Sequence, residues 1–227
     1  MDVNQKQNWR TILILLVVIC LFVVVIFLLL LLPAFVETLL PNNSYVIEIT
    51  GLSGLAVNGT ATVMIPVPAN AEGEPALSEG VLAGERQPVG WQAAIRETPY
   101  GKMLVFTTVD GYASDISIPF GEAETEKEPR LLVPVLSTPG NASVAEFTRA
   151  SSGTYTTVVF LDGFVPSPED AAPISFSLEY QGGGGMKHLI KGDIWTTTVD
   201  TTVPSTTSGF VPVPADYYVT AGGIMPL

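Results

Sequence analysis

One cysteine and one histidine among 227 residues remove several chemistries at the outset. The cysteine, Cys20, sits inside an apolar run. The rest of the chain therefore has no disulfide, no thiol nucleophile and no Cys/His metal site, and its stability must come from a packed core. Triads that activate a serine need a base, usually His, between nucleophile and orienting carboxylate, and His188 is the single candidate. Cations are scarce as well. Beyond Leu32 there are 8 basic against 21 acidic residues, a balance of −13. Such a surface repels nucleic acid and anionic lipid headgroups, so no nucleic-acid partner is expected. A sustained helical repeat is also missing beyond Leu32, save a short turn near Ala76–Leu82.

What is abundant is aliphatic side chain near the N-terminus. From Ile12 to Leu32 the sequence has no charge, Gly, Pro or amide. As a helix, this run spans about 31 Å at 1.5 Å per residue, against roughly 30 Å of bilayer hydrocarbon. Each Leu, Ile, Val or Phe favours insertion by roughly 0.3–0.6 kcal/mol near mid-membrane. A cleavable export signal has a shorter apolar stretch followed by small residues. Here Phe35 and Val36 stand at the exit, so an uncleaved signal-anchor is expected. Lys6 and Arg10 precede the run, whereas the first basic residue after it is Arg86. Cationic flanks stay cytoplasmic, which orients the N-terminus inward and the bulk of the chain outward. The expected organisation is a cytoplasmic tail over 1–10, a transmembrane helix over 11–32 with the lipid bilayer as its partner, a stalk over 33–44, and an extracytoplasmic β region over 45–227.

Periodicity within 45–227 is two. Tyr45–Thr50 and Ile174–Tyr180 alternate apolar and polar residues cleanly, as half-buried strands do. Further strands are read at Thr60–Val67, Trp91–Arg96, Met103–Val109, Tyr112–Phe120, Leu131–Leu136, Ser143–Thr148, Thr154–Leu161, Met186–Ile190, Ile194–Val199, Phe210–Val213 and Tyr217–Thr220. Turns fall at Thr98–Lys102, Asp110-Gly111, Ser151–Gly153 and Gly182–Gly185, where Gly, Pro, Asp and Ser supply turn geometry. Short strands with turns every 8–12 residues predict an all-β ectodomain: an antiparallel β-sandwich, one large or two small Ig-like ones, with a seam at the acidic stretch 121–129. "MIPVPAN" at 64–70 echoes "FVPVPAD" at 210–216. Prolines belong at strand edges, so the echo marks either equivalent edge strands or a shared Val/Pro-rich composition.

The search for chemistry yields little. His188 alternates with Met186 and Ile190 and reads as a strand residue. Gly182–Gly185 lacks the following helix and the GK[ST] signature of a phosphate loop. Asp110, Asp162 and Asp193 could serve as paired carboxylates in glycoside hydrolysis, but each adjoins a glycine, which turn chemistry explains. Glu122, Glu124, Glu126 and Glu128 read as a solvated acidic patch. The run from Thr196 to Ser208 reads as strand and turn, with O-glycosylation as its alternative. Three Asn-x-Ser/Thr triplets make Asn42, Asn58 and Asn141 candidate N-glycosylation acceptors. No catalytic, cofactor-binding or metal residues are assigned, no cofactor is expected, and the chain is read as a non-enzyme. The expectation is a single-pass cell-surface protein whose acidic domain serves binding, with a protein or glycan partner outside the cell, or envelope structure. The alternatives are a surface hydrolase using loop carboxylates and a filament subunit joined by strand donation.

Overall fold

The computed structural model describes residues 15–22, 43–70, 73–75, 77, 87–122, 131–138, 152–165, 172–183 and 194–220. The chain divides into two compact units, Met1–Leu40 and Pro41–Leu227. In the first, residues 15–22 form a helix whose side chains are all exposed. No helix among the described residues is long and apolar enough to cross a membrane. The rest of the expected 11–32 span and most of the 33–44 stalk lie outside the described residues.

The second unit is built of antiparallel strands. In chain order these are β1 (Asn43–Thr50), β2 (Ala56–Ile65), β3 (Val67–Ala69), β4 (Trp91–Thr98), β5 (Gly101–Thr108), β6 (Ile116–Glu122), β7 (Leu131–Val133), β8 (Ser152–Val165), β9 (Ile174–Gly183), β10 (Ile194–Val203) and β11 (Gly209–Thr220). Nine of them form one sheet, in the order β4-β5-β2-β8-β11-β10-β9-β1-β6, which curls into a half-barrel. β3 and β7 form a second, two-stranded sheet.

The strands follow from alternation. On β1, Asn43, Tyr45, Ile47 and Ile49 are buried while Glu48 and Thr50 face solvent. On β9, Ile174, Phe176, Leu178 and Tyr180 do the same. Side chains of successive residues point to opposite faces, so each strand contributes every second residue to the concave side. That side gathers one core, including Ile47, Val63, Leu104, Phe106, Val159, Leu161 and Phe176. Full burial of each such side chain favours folding by about 1.5–3 kcal/mol.

The β content and antiparallel pairing agree with the sequence reading, but the pairings differ from it. In place of two facing sheets, nine strands are hydrogen-bonded in a single curled one. Strands before and after 121–129 are interleaved: β2 pairs with β8 and β1 pairs with β9. Asp110-Gly111 does not close a hairpin, because β6 pairs with β1 and not with β5. Phe210–Val213 and Tyr217–Thr220 belong to one continuous strand. The expected strands Ser143–Thr148 and Met186–Ile190 lie outside the described residues.

Both Pro-Val-Pro segments terminate ladders. β2 pairs with β5 only as far as Ile65 and with β8 only as far as Met64. After Pro66 the chain leaves the large sheet and pairs with β7 as β3. The second case can be worked out from hydrogen bonds. Thr156 accepts from Leu136 N at 2.7 Å and donates to Ser137 O at 2.9 Å, so both its backbone groups point away from β11. Thr156 stands opposite Pro214. In an antiparallel pair such residues are non-hydrogen-bonded, and the backbone groups of Pro214, like those of Pro212, therefore point toward β10. Neither proline has an N–H to offer. The β10–β11 ladder accordingly runs from Ile194↔Thr220 only to Thr198↔Asp216. Beyond that point the two strands part, and the sheet opens into two arms, β4-β5-β2-β8-β11 and β10-β9-β1-β6.

Candidate functional site

Where the arms remain joined, the core becomes polar. Register places Tyr45 opposite Tyr180, Tyr180 opposite Thr197, and Thr197 opposite Tyr217, across β1, β9, β10 and β11. All four are buried. Tyr155 of β8 is buried beside this row and stands opposite Ala215. The hydroxyls tie separate parts of the fold. Tyr45 donates to Pro66 O at 2.7 Å, linking one arm to the other. Pro66 is the residue at which β2 leaves the sheet, so this hydroxyl satisfies a carbonyl that the break removed from the ladder. The Tyr155 hydroxyl accepts from Leu132 N at 2.9 Å and donates to Leu132 O at 3.3 Å, which fixes β7 against β8. Thr157 Oγ1 donates to Pro134 O at 2.6 Å in the same strip. Burial pushes both the Tyr45 and the Tyr155 phenols well above their ordinary value, because ionised oxygen would lose its water.

At the edge of this layer Trp195 lies across Gly182, its partner in register. A Cβ on Gly182 would fall 2.1 Å from the indole Nε1, so only glycine fits there. The Trp195 Nε1 and the Ser205 hydroxyl are buried and have no hydrogen-bond partner among the described residues.

On the convex face a shallow cleft of about 490 Å³ runs between β11 and residues 137–138, with Ser137, Thr138, Thr154, Thr156, Pro212 and Pro214 among its walls. Among the described residues its lining offers hydroxyls and proline rings and no carboxylate, amine or imidazole. It can hydrogen-bond a neutral polar group. Farther along the same face Phe210 packs against Phe160 at 4.7 Å and Tyr100 at 4.9 Å between ring centroids.

The carboxylates named from the sequence are not brought together into a cluster among the described residues. Asp110 lies exposed in a bend. Asp162 is exposed on β8 and accepts from Ser208 Oγ at 3.1 Å. Asp216 accepts from Thr154 Oγ1 at 2.7 Å. In both pairs the carboxylate fixes a hydroxyl. Asp193, His188, Gly184–Gly185 and Glu124–Glu128 lie outside the described residues. Glu122 ends β6, and Gly182 and Gly183 end β9. Among the described residues no group of three or more His, Cys, Asp or Glu is arranged to hold a metal ion. Of the candidate glycosylation sites, Asn42 and Asn141 lie outside the described residues, and Asn58 is exposed on β2.

Sequence reasoning missed the tyrosine layer and the parting of β10 from β11. The signal for the second was present in the spacing Pro212-Val213-Pro214, which removes successive donors from one side of a strand. The chain matches no protein-family model, and neither curated proteins nor solved structures give a match.

Proposed function

We propose that the protein is a single-pass, membrane-anchored cell-surface protein that presents an acidic β domain outward for binding or envelope structure. The carrying observation is the apolar run Ile12–Leu32, bounded by Lys6 and Arg10 on one side and followed by acidic sequence on the other. The described helix adds support. From residue 15 to 22 every side chain is exposed, and all but Cys20 are Leu, Ile, Val or Phe, each with more than half of its surface free. An exposed apolar cylinder of this kind is unfavourable in water and favourable in lipid. The N-terminus is cytoplasmic in this reading, and residues from about 33 onward are outside.

The β domain suits display. Its curled sheet wraps one core, and its convex face carries Glu48, Glu179, Asp200 and Asp216 on exposed positions. A protein or glycan outside the cell is the partner this surface fits, with the hydroxyl- and proline-lined cleft as its contact region; nucleic acid is repelled by the net charge of −12. The reading is tested by fractionating native cells. The full chain should remain with membranes through a high-salt wash and be released only by detergent; release by salt alone overturns the anchor.

A further inference from the structure

We infer that Asn58 is an N-glycosylation site at the end of the β domain opposite to the one where β1 begins, an inference that rests on the outward orientation proposed above. The triplet Asn58-Gly59-Thr60 is one of three in the chain, and it lies wholly within the described residues. On β2, Val57 stands opposite Phe164 and Thr62 opposite Asp162, so residues 58–61 bulge out against the single residue Gly163. Gly163 has φ +80° and no Cβ; a side chain there would fall 2.2 Å from Thr60 O. The bulge therefore depends on this glycine. It is anchored from below, where Ala61 N donates to Thr108 Oγ1 at 2.9 Å.

The result is a tripeptide held off the sheet with Asn58, Gly59 and Thr60 all exposed. Neither the Asn58 amide nor the Thr60 hydroxyl hydrogen-bonds another described residue. Gly59 has φ +77° and open space where a side chain would begin, so the chain turns outward with room for a bulky substituent. The contrast is with Asn42-Asn43-Ser44. There the middle residue, Asn43, is buried and accepts from Gly183 N at 3.2 Å, and Ser44 is already paired on both sides within the sheet. Asn43 opens β1, whereas Asn58 lies near the opposite end of the strands, where its neighbour Gly59 comes close to Gly111.

The modification requires a glycan linked through phosphate to a lipid carrier and a separate transferase. The Asn58 amide nitrogen forms a bond to the anomeric carbon. The bond from that carbon to the phosphate oxygen breaks, the phosphate keeps the electron pair, and the amide gives up one proton. A hydrophilic substituent there would shield that end of the domain from proteases and neighbouring chains.

Cleavage after Glu48 and Glu72 isolates Asn58 in one peptide, Ile49–Glu72. Taken from the full-length protein of native membranes, this peptide should carry a glycan mass. Thr60→Ala should abolish that mass and Thr60→Ser should retain it, with the chain folded in both. An unmodified wild-type peptide overturns the inference. Protease treatment of intact cells, run in parallel, separates the causes: an accessible β domain with bare Asn58 overturns the glycosylation alone, whereas a protected domain overturns the outward orientation with it.

Discussion

Pro66-Val67-Pro68 and Pro212-Val213-Pro214 share a motif and a consequence, yet they sit in opposite surroundings. Each cuts a β-ladder by withdrawing donors, and each keeps its valine in the core. Around the first, Pro66 and Pro68 are themselves buried, and the chain goes on to build the small β3–β7 sheet inside the fold. Around the second, Pro212 and Pro214 are exposed, and the freed carbonyls face the opening between β10 and β11. A lost hydrogen bond costs little where water replaces it and much where nothing does. Hence the first break is repaired by the Tyr45 hydroxyl at Pro66 O, while the second is left open.

The sharpest test of this contrast is to place the same charge in both segments. Pro68→Asp puts a carboxylate into a site without water or a cation and should cost on the order of 3 kcal/mol or more. Pro214→Asp should stay within about 1 kcal/mol. Urea unfolding midpoints of the 41–227 portion in the full chain, held in detergent, report both; equal losses would remove the distinction. Next in size is Tyr155→Phe. It strips Leu132 of a buried acceptor and donor together and should cost about 1–3 kcal/mol in the same assay.

Alkali should find the same two tyrosines. Both phenols are raised in the folded state relative to the unfolded value of 10.0. Above that pH the unfolded chain loses protons that the native state retains, so stability is full below pH 10 and falls as pH rises past it. Each tyrosine contributes about 1.4 kcal/mol per pH unit to that slope. Tyr45→Phe should therefore make the decline shallower, and an unchanged slope would show that Tyr45 ionises freely. The smallest effect belongs to the open segment. Pro212→Ala with Pro214→Ala restores two N–H groups and should shift stability by no more than about 1 kcal/mol. Hydrogen exchange should find both new amides unprotected; protection would mean that the prolines alone had held β10 away.

Much of the strand content was legible because alternation is a local property. Tyr45, Ile47 and Ile49, or Phe176, Leu178 and Tyr180, announce which face is buried with no knowledge of a partner. Partners were not legible. Nothing near Ile116 says that β6 returns to β1 and not to β5, since that choice depends on contacts more than sixty residues apart in sequence. The single curled sheet was missed for the same reason, although the paired prolines held a clue to where it opens. The bulge that lifts Asn58 was equally hidden, because it depends on Gly163 in another strand. What the sequence carried most directly was the apolar run and its charge asymmetry, which need no tertiary partner at all.

That asymmetry is tested most directly by treating intact native cells with protease and following both ends of the chain. An outward β domain predicts loss of the C-terminal region with survival of a short, membrane-embedded N-terminal fragment containing Ile12–Leu32. A C-terminal region that stays intact until the cells are lysed, or a full-length chain recovered in the soluble fraction, would contradict the account.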